Sequence, residues 1–315
     1  MPSEITRYTR VLAWLNLIVN IGIVGTGGLV RLTGSGLGCP TWPLCTPESL
    51  VPTQEMGIHG AIEFGNRTLT GVLVVVALLS FLSVVRASPR YGLRGPAFTI
   101  GLLVIVQAIV GGVTVWLALD PRIVGVHFFI SAAIVAVAAI LLQRVRFSTP
   151  VPRGMRPTTE GGVWAAAVVT AVLAWITELV GVLTTGSGPH AGDSMAARNG
   201  LDPEIMHHVH AWPGYALVAS IVVLLLLARR AGLPRAVSTT LWLGALVVVQ
   251  IAFGVFQART GLPVWSVAVH MILAVVIIGQ LTMSLIGTRR ELLQRDAKVA
   301  VEADLTIDEL ATAAR

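Results

Sequence analysis

Charge is what this chain has least of. Only 12% of its 315 residues are Asp, Glu, Lys or Arg, about half the roughly 25% of an ordinary soluble domain. With 55% apolar residues and a mean hydropathy of +0.80, that shortage argues against a water-soluble protein. Cysteine is nearly absent, Cys39 and Cys45 being the only two, so no thiol accompanies the histidine-rich stretches further along. The first apolar stretch lacks a small-residue cleavage site and is followed by more apolar runs, which excludes a cleaved signal peptide and predicts a retained helix. The net charge of +6 does not imply nucleic acid, because the basic residues sit in short stretches between apolar runs rather than on one surface.

What is present is a series of long apolar runs. Seven are uncharged and near or above the roughly 18 residues that mark a membrane-spanning helix: Val11–Val30, Thr68–Val85, Phe98–Leu119, Ile123–Gln143, Ala211–Ala228, Ala236–Phe256 and Leu262–Ile286. An eighth, Val163–Thr185, qualifies apart from Glu178. The fold class expected is an all-α integral membrane protein with eight transmembrane helices. With the N-terminus placed inside, segments 1–10, 86–97, 144–160, 229–235 and 288–315 hold 17 of the 22 Lys and Arg, leaving Arg31, Arg67, Arg122, Arg198 and Arg259 outside. Acidic residues divide evenly, as expected of groups that contribute little to orientation, and the positive-inside rule then puts both termini in the cytoplasm.

The two halves of the chain echo each other. Gln107, Gly111 and His127 have the same mutual spacings as Gln250, Gly254 and His270, and Leu32-Thr33-Gly34-Ser35-Gly36 is echoed by Thr184-Thr185-Gly186-Ser187-Gly188. The arrangement expected is two tandem, pseudo-repeated four-helix bundles, over 1–143 and 162–287. A Pro- and Arg-rich cytoplasmic linker at 144–161 joins them, and a cytoplasmic tail follows at 288–315. Bundles build cofactor sites between facing helices, so a duplication suggests two related sites.

All seven histidines map to the outer side: His59, His127, His190, His207, His208, His210 and His270. His127 and His270 lie about 6 Å inside their helices at 1.5 Å per residue, where an ionisable group is usually turned toward a partner in the bundle interior. The partner helices are those starting at Glu204–His210 and His59–Arg67. A shift of 143 brings His210 within one residue of the slot of Asn66. Two imidazoles facing across an apolar bundle suit axial ligation of a haem, and His210 with His270 is the strongest pair. Zinc or copper is the rival reading of His207, His208 and His210; His207 and His208 also read as interfacial residues, and His190 as a solvated one. Glu63 and Arg67, four apart, share one helix face at the depth of His127, either as an interfacial ion pair or as a carboxylate over a substrate with Arg67 holding it or a propionate. Glu178 reads equally as a structural hydrogen bonder or a proton-handling group. Cys39 and Cys45 lie on the disulfide-permissive side, as a redox-active, locally shaping or structural disulfide or as two thiols.

Together these residues resemble the haem A synthase family of cytochrome oxidase assembly proteins. The resemblance rests on Gly34-Ser35-Gly36, Cys39-Pro-Thr-Trp-Pro-Leu-Cys45, Glu63-Phe-Gly-Asn66-Arg67 and the two His helices, and spans roughly residues 10–287. It implies a membrane oxidoreductase that converts the C8 methyl of haem O to a formyl group, giving haem A for terminal oxidases. Substrate haem would lie in the N-terminal bundle and haem b in the C-terminal one. Carried over, Glu63 matches the family's functionally important glutamate, with Arg67 beside it. His127 matches a substrate-haem ligand, His210 and His270 the cofactor ligands with His207 and His208 as alternates, and Cys39 and Cys45 the outer-loop pair. Some members carry a second cysteine pair in the third outer loop, where this chain has none. Where the family usually reads Glu-x-x-His-Arg, this chain reads Glu63-x-x-Asn66-Arg67. Asn66 is a poor iron ligand, and His59, seven residues earlier, lies about 10 Å away along a continuous helix. The expectation is a substrate iron held by His127 alone, with an open face for oxygen.

The resemblance further implies O2 as co-substrate, haem O synthase as the source of substrate, an unidentified electron donor, a possible homo-oligomer and a multi-pass plasma-membrane location with haem sites toward the outer face. A different reading is a dihaem b-type electron carrier linked to quinone, for which two bis-His sites are expected. A transporter is the third, weakened because the repeats run parallel and the polar groups crowd one leaflet.

Overall fold

The computed structural model describes residues 5–85, 91–147 and 161–313. The described residues form eight long helices and a 3-10 turn at Gln54–Met56: α1 Arg7–Leu32, α2 Gly57–Val85, α3 Arg94–Trp116, α4 Pro121–Arg146, α5 Gly161–Ser187, α6 Pro203–Arg230, α7 Pro234–Arg259 and α8 Val264–Ala313. All eight are long and apolar enough to cross a membrane. The helix expected at Thr68–Val85 begins eleven residues earlier, so His59, Glu63, Asn66 and Arg67 are part of an unbroken α2. Likewise α8 continues through residue 287 into the stretch expected as a separate tail. Most of the linker expected at 144–161 lies outside the described residues, as do Arg86, Arg90, Arg153, Arg156 and Arg315.

Local chemistry starts the two helices that follow the tightest signals. Asp120 and Asp202 accept hydrogen bonds from the first free amides of α4 and α6, each followed by proline at the first helical position, where its missing N–H costs nothing. Inside α6, Pro213 has no amide to offer the preceding turn, one turn beyond His210.

α1 packs on α2 and α4, and α3 on the same two helices; α5 packs on α6 and α8, and α7 on the same two. α4 and α8 meet along their length, with α1 also on α8 and α4 on α5. Small residues allow this: Ala132, Ala138 and Ala139 of α4 are fully buried among Leu17, Ala77, Ile100 and Val275. Lipid chains are as apolar as leucine, so association here rests on close packing and interhelical hydrogen bonds rather than on exclusion from water. Asn16 of α1 bonds Ser80 of α2, Gln143 of α4 donates to the Met283 carbonyl at 3.0 Å, and Gln280 of α8 to the Thr239 carbonyl at 3.0 Å. Conversely, Val72, Val75, Leu79 and Leu82 form an exposed stripe on α2, and Trp242 and Val248 do the same on α7, as a lipid-facing surface requires.

All seven histidines lie toward one end of the helices, where the two long connections, 33–56 and 188–202, also lie. These connections are tied together. Gly36 N donates to the Gly192 carbonyl at 2.8 Å, and Arg31 reaches from the last turn of α1 to the carbonyls of His190 (2.8 Å) and Thr185 (3.1 Å). His190, read from sequence as solvated, is instead partly buried and donates through Nε2 to the Leu262 carbonyl at 3.0 Å. A loop without secondary structure must find partners for its carbonyls; Arg31 supplies one for His190, and the His190 ring supplies one for Leu262.

Candidate functional site: two buried histidine sites

In the second set of helices, His210 on α6 and His270 on α8 face each other. Their ring centroids are 6.4 Å apart and the planes 76° from parallel. Two glycines make room: a Cβ at Gly181 of α5 would come within 2.8 Å of His210 Cε1, and one at Gly254 of α7 within 3.2 Å of His270 Cε1. Gln250 donates to the His270 carbonyl at 3.1 Å. Each of α5 to α8 thus contributes to the constellation, α7 with both Gln250 and Gly254. His207 and His208 stack on each other at 3.9 Å instead, His208 exposed and His207 3.8 Å from Glu204. Among the described residues no group of three or more His, Cys, Asp or Glu is arranged to hold a metal ion, so the zinc or copper reading finds no cluster.

The same pattern recurs on α3 and α4. A Cβ at Gly111 would come within 3.1 Å of His127 Cε1, and Gln107 donates to the His127 carbonyl at 2.7 Å, as well as to Ser131 at 2.6 Å. What differs is α2. Asn66 accepts a hydrogen bond from Thr26 of α1 at 2.7 Å, and Gly27 faces its amide nitrogen. His59 does not reach inward: it is exposed, and its Nδ1 is 2.9 Å from Ser35 Oγ.

Glu63 and Arg67 serve the connection above them. Glu63, 5% exposed, accepts from the Cys39 amide at 2.7 Å through Oε2 and pairs with Arg67 through Oε1. Arg67 also donates to the carbonyls of Cys39 (2.9 Å), Thr41 (2.8 Å) and Leu44 (3.2 Å). The loop so held is closed by a disulfide between Cys39 and Cys45, both fully buried. Its Trp42 lies on α3, where a Cβ at Gly112 would be 2.4 Å from the indole, and meets Trp116 edge to face at 5.4 Å. Gly38 permits the loop to lie against the first turn of α2, since a Cβ there would overlap the His59 carbonyl. Sequence spacing placed Glu63 beside Arg67, but neither the Trp42 seat nor the Thr26–Asn66 bond is visible in it. A glycine inside an apolar helix, as at Gly112 and Gly181, was the available signal.

The buried Nδ1 atoms of His127, His210 and His270 have no hydrogen-bond partner, nor has Oε1 of Glu178. Unpaired buried polar atoms are uncommon and call for a reason. Independently of these atoms, the facing pair has the spacing that a planar metal complex requires. With metal–imidazole bonds of about 2 Å, two rings on opposite faces of one metal have centroids roughly 6 Å apart, as His210 and His270 do. The residues of the second site therefore fit a bis-imidazole haem.

Fold and site define an eight-helix membrane protein that buries a histidine at the same end of each half. Residues 10–282 match the model of a family described as cytochrome oxidase assembly protein. The chain is 30% identical over 152 residues to a heme A synthase of Geobacillus thermodenitrificans, covering 46% of this chain and 44% of that protein. It is 33% identical over 144 residues to one of Exiguobacterium sibiricum, 43% and 48% of the two chains. A heme A synthase of Methylobacterium radiotolerans is 25% identical over 338 aligned positions, 90% of each chain. For the first of these relatives the chain spans about half their length or less. This chain belongs to the cytochrome oxidase assembly protein family.

Proposed function

We propose that the protein is a haem A synthase, oxidising the C8 methyl of haem O to a formyl group to give haem A for terminal oxidases. The observation that carries this reading is the facing pair His210 and His270, beside a second histidine, His127, set in the same glycine and glutamine frame but without a facing imidazole. Family membership and the printed names of the relatives support it.

In this reading the halves 1–143 and 162–287 act as two bundles. His127 holds substrate haem O in the first, and His210 with His270 hold haem b in the second. Haem supplies redox chemistry with O2 that no amino-acid side chain provides. The protein's part is positioning and exclusion of water. Glu63 and Arg67 hold the Cys39–Cys45 loop, and Trp42 on it closes against α3, one residue from Gly111 and the His127 ring. An apolar, covered site protects a reactive substrate from side reactions. Substrate comes from haem O synthase and electrons from a separate donor. The distribution of basic residues supports termini in the cytoplasm and a histidine end at the outer face of the plasma membrane. The electron-carrier reading expects two alike bis-His sites, and Asn66 on α2 stands against it.

The test is expression in a bacterium that makes haem O but no haem A, followed by extraction and identification of the haems by mass spectrometry. Haem A in the wild type, lost in Glu63→Ala, is the expected result. Haem b bound stoichiometrically with haem O unchanged, in a host where another family member makes haem A, would overturn it in favour of the carrier.

A further inference from the structure

As His210 of α6 lies against Gly181 of α5, Asn66 of α2, within one residue of the equivalent slot, lies beside Gly27 of α1. α2 and α4 each pack on α1 and α3, as α6 and α8 each pack on α5 and α7. At this place the first half carries a hydrogen-bonded pair rather than a ring. Thr26 Oγ1 donates to Asn66 Oδ1 at 2.7 Å, and Gly27, the next residue of α1, leaves space beside Asn66 Nδ2. Two consequences follow from the chemistry of an amide. Its nitrogen lone pair is delocalised and does not bind metal, and its oxygen, the one remaining donor atom, is turned toward the Thr26 hydroxyl, whose proton is shared with the Ile23 carbonyl at 3.2 Å. The two N–H groups of Asn66 are donors to which the structure assigns no acceptor among the described residues. His59 provides no substitute, being bonded to Ser35 near the start of the same unbroken helix.

Resting on the haem-binding reading above, we infer that Thr26 and Asn66 form a ligand-gating pair at the first site. Thr26 holds the Asn66 amide so that it cannot act as a protein ligand to the metal on the face opposite His127. The Asn66 N–H instead donates a hydrogen bond to a small exogenous ligand bound there. The two halves thereby divide their work: the second site is closed on both faces by His210 and His270, and the first is closed on one face and open on the other. Thr26 is a positioning residue in this scheme, acting only through Asn66.

Carbon monoxide tests this directly, because it binds ferrous haem with a free axial position and its stretching frequency reports hydrogen-bond donors around it. The full-length protein in detergent is titrated to saturation with haem, reduced and exposed to carbon monoxide. The expected result is that half of the bound haem takes it up, and that His127→Ala removes this fraction. Asn66→His should abolish uptake by supplying a second imidazole. Thr26→Val should leave the stoichiometry unchanged but shift the carbon monoxide band, as should Asn66→Leu. Saturation with low-spin haem only and no uptake would overturn the inference, as would undiminished uptake in Asn66→His or a band that neither Thr26→Val nor Asn66→Leu moves. Uptake as expected in a protein that makes no haem A would leave this inference standing and remove the synthase reading alone.

Discussion

The two histidine sites share a frame and differ in what faces the shared histidine. In both, a glutamine on the preceding helix bonds the histidine's carbonyl and a glycine one turn away makes room for the ring: Gln107, Gly111 and His127 in one, Gln250, Gly254 and His270 in the other. Across from His270 stands His210, held against Gly181; on α2 stands Asn66, bonded to Thr26. Only the first site has a disulfide loop fastened over it by a buried ion pair, while the connection above the second is latched by Arg31 from the other half. The common frame sets a ring in place cheaply, and in the proposed reading the residue opposite it is what makes the two sites different.

The comparison can be broken most severely at the second site. His210→Ala or His270→Ala should eliminate the low-spin bis-imidazole signal in electron paramagnetic resonance while leaving the first site's contribution intact; a signal unchanged in both variants would refute the pairing. Next in size, Arg67→Ala leaves the Glu63 carboxylate buried without its partner, which costs about 3–5 kcal/mol when the charge has no other recourse. Thermal unfolding in detergent should show a large drop, and one much smaller in Glu63→Gln/Arg67→Ala would assign the loss to the stranded charge. The glycine frame gives a graded test. Gly181→Ala, where the Cβ would meet His210 at 2.8 Å, should destabilise by about 1–3 kcal/mol, and Gly254→Ala, with 3.2 Å available, by less. Equal effects would show that the rings shift freely. The smallest change is expected for Gln107→Ala and Gln250→Ala, about 1 kcal/mol each for a lost hydrogen bond, and larger for Gln107, whose amide also bonds Ser131.

Helix number and length were readable because the hydrocarbon core of a bilayer demands about 20 apolar residues per crossing, and charge is expelled to the ends. Even so, α2 exceeds its apolar window by about three turns, because Glu63 and Arg67 find partners in the connection above and Asn66 finds one on α1. His127 and His270 were identifiable by their repetition. His210 could not be told from its neighbours by spacing alone; the helical rotation of 100° per residue turns His208 away, while His207 shares the face of His210 but lies one turn nearer the helix start, beside Glu204.

Composition and periodicity therefore suffice for what depends on a residue's relation to the membrane: how many helices there are and at which end the histidines gather. These are properties of each segment in its solvent, independent of its neighbours. Which side chains meet across helices is a different kind of fact. The bond between Thr26 and Asn66, the seat of Trp42 on Gly112, the reach of Arg31 to His190 and the commitment of Glu63 to the Cys39 amide join residues 24 to 159 positions apart. No local pattern encodes them, because each depends on the rotation and approach of two helices that is set by the packing of all eight.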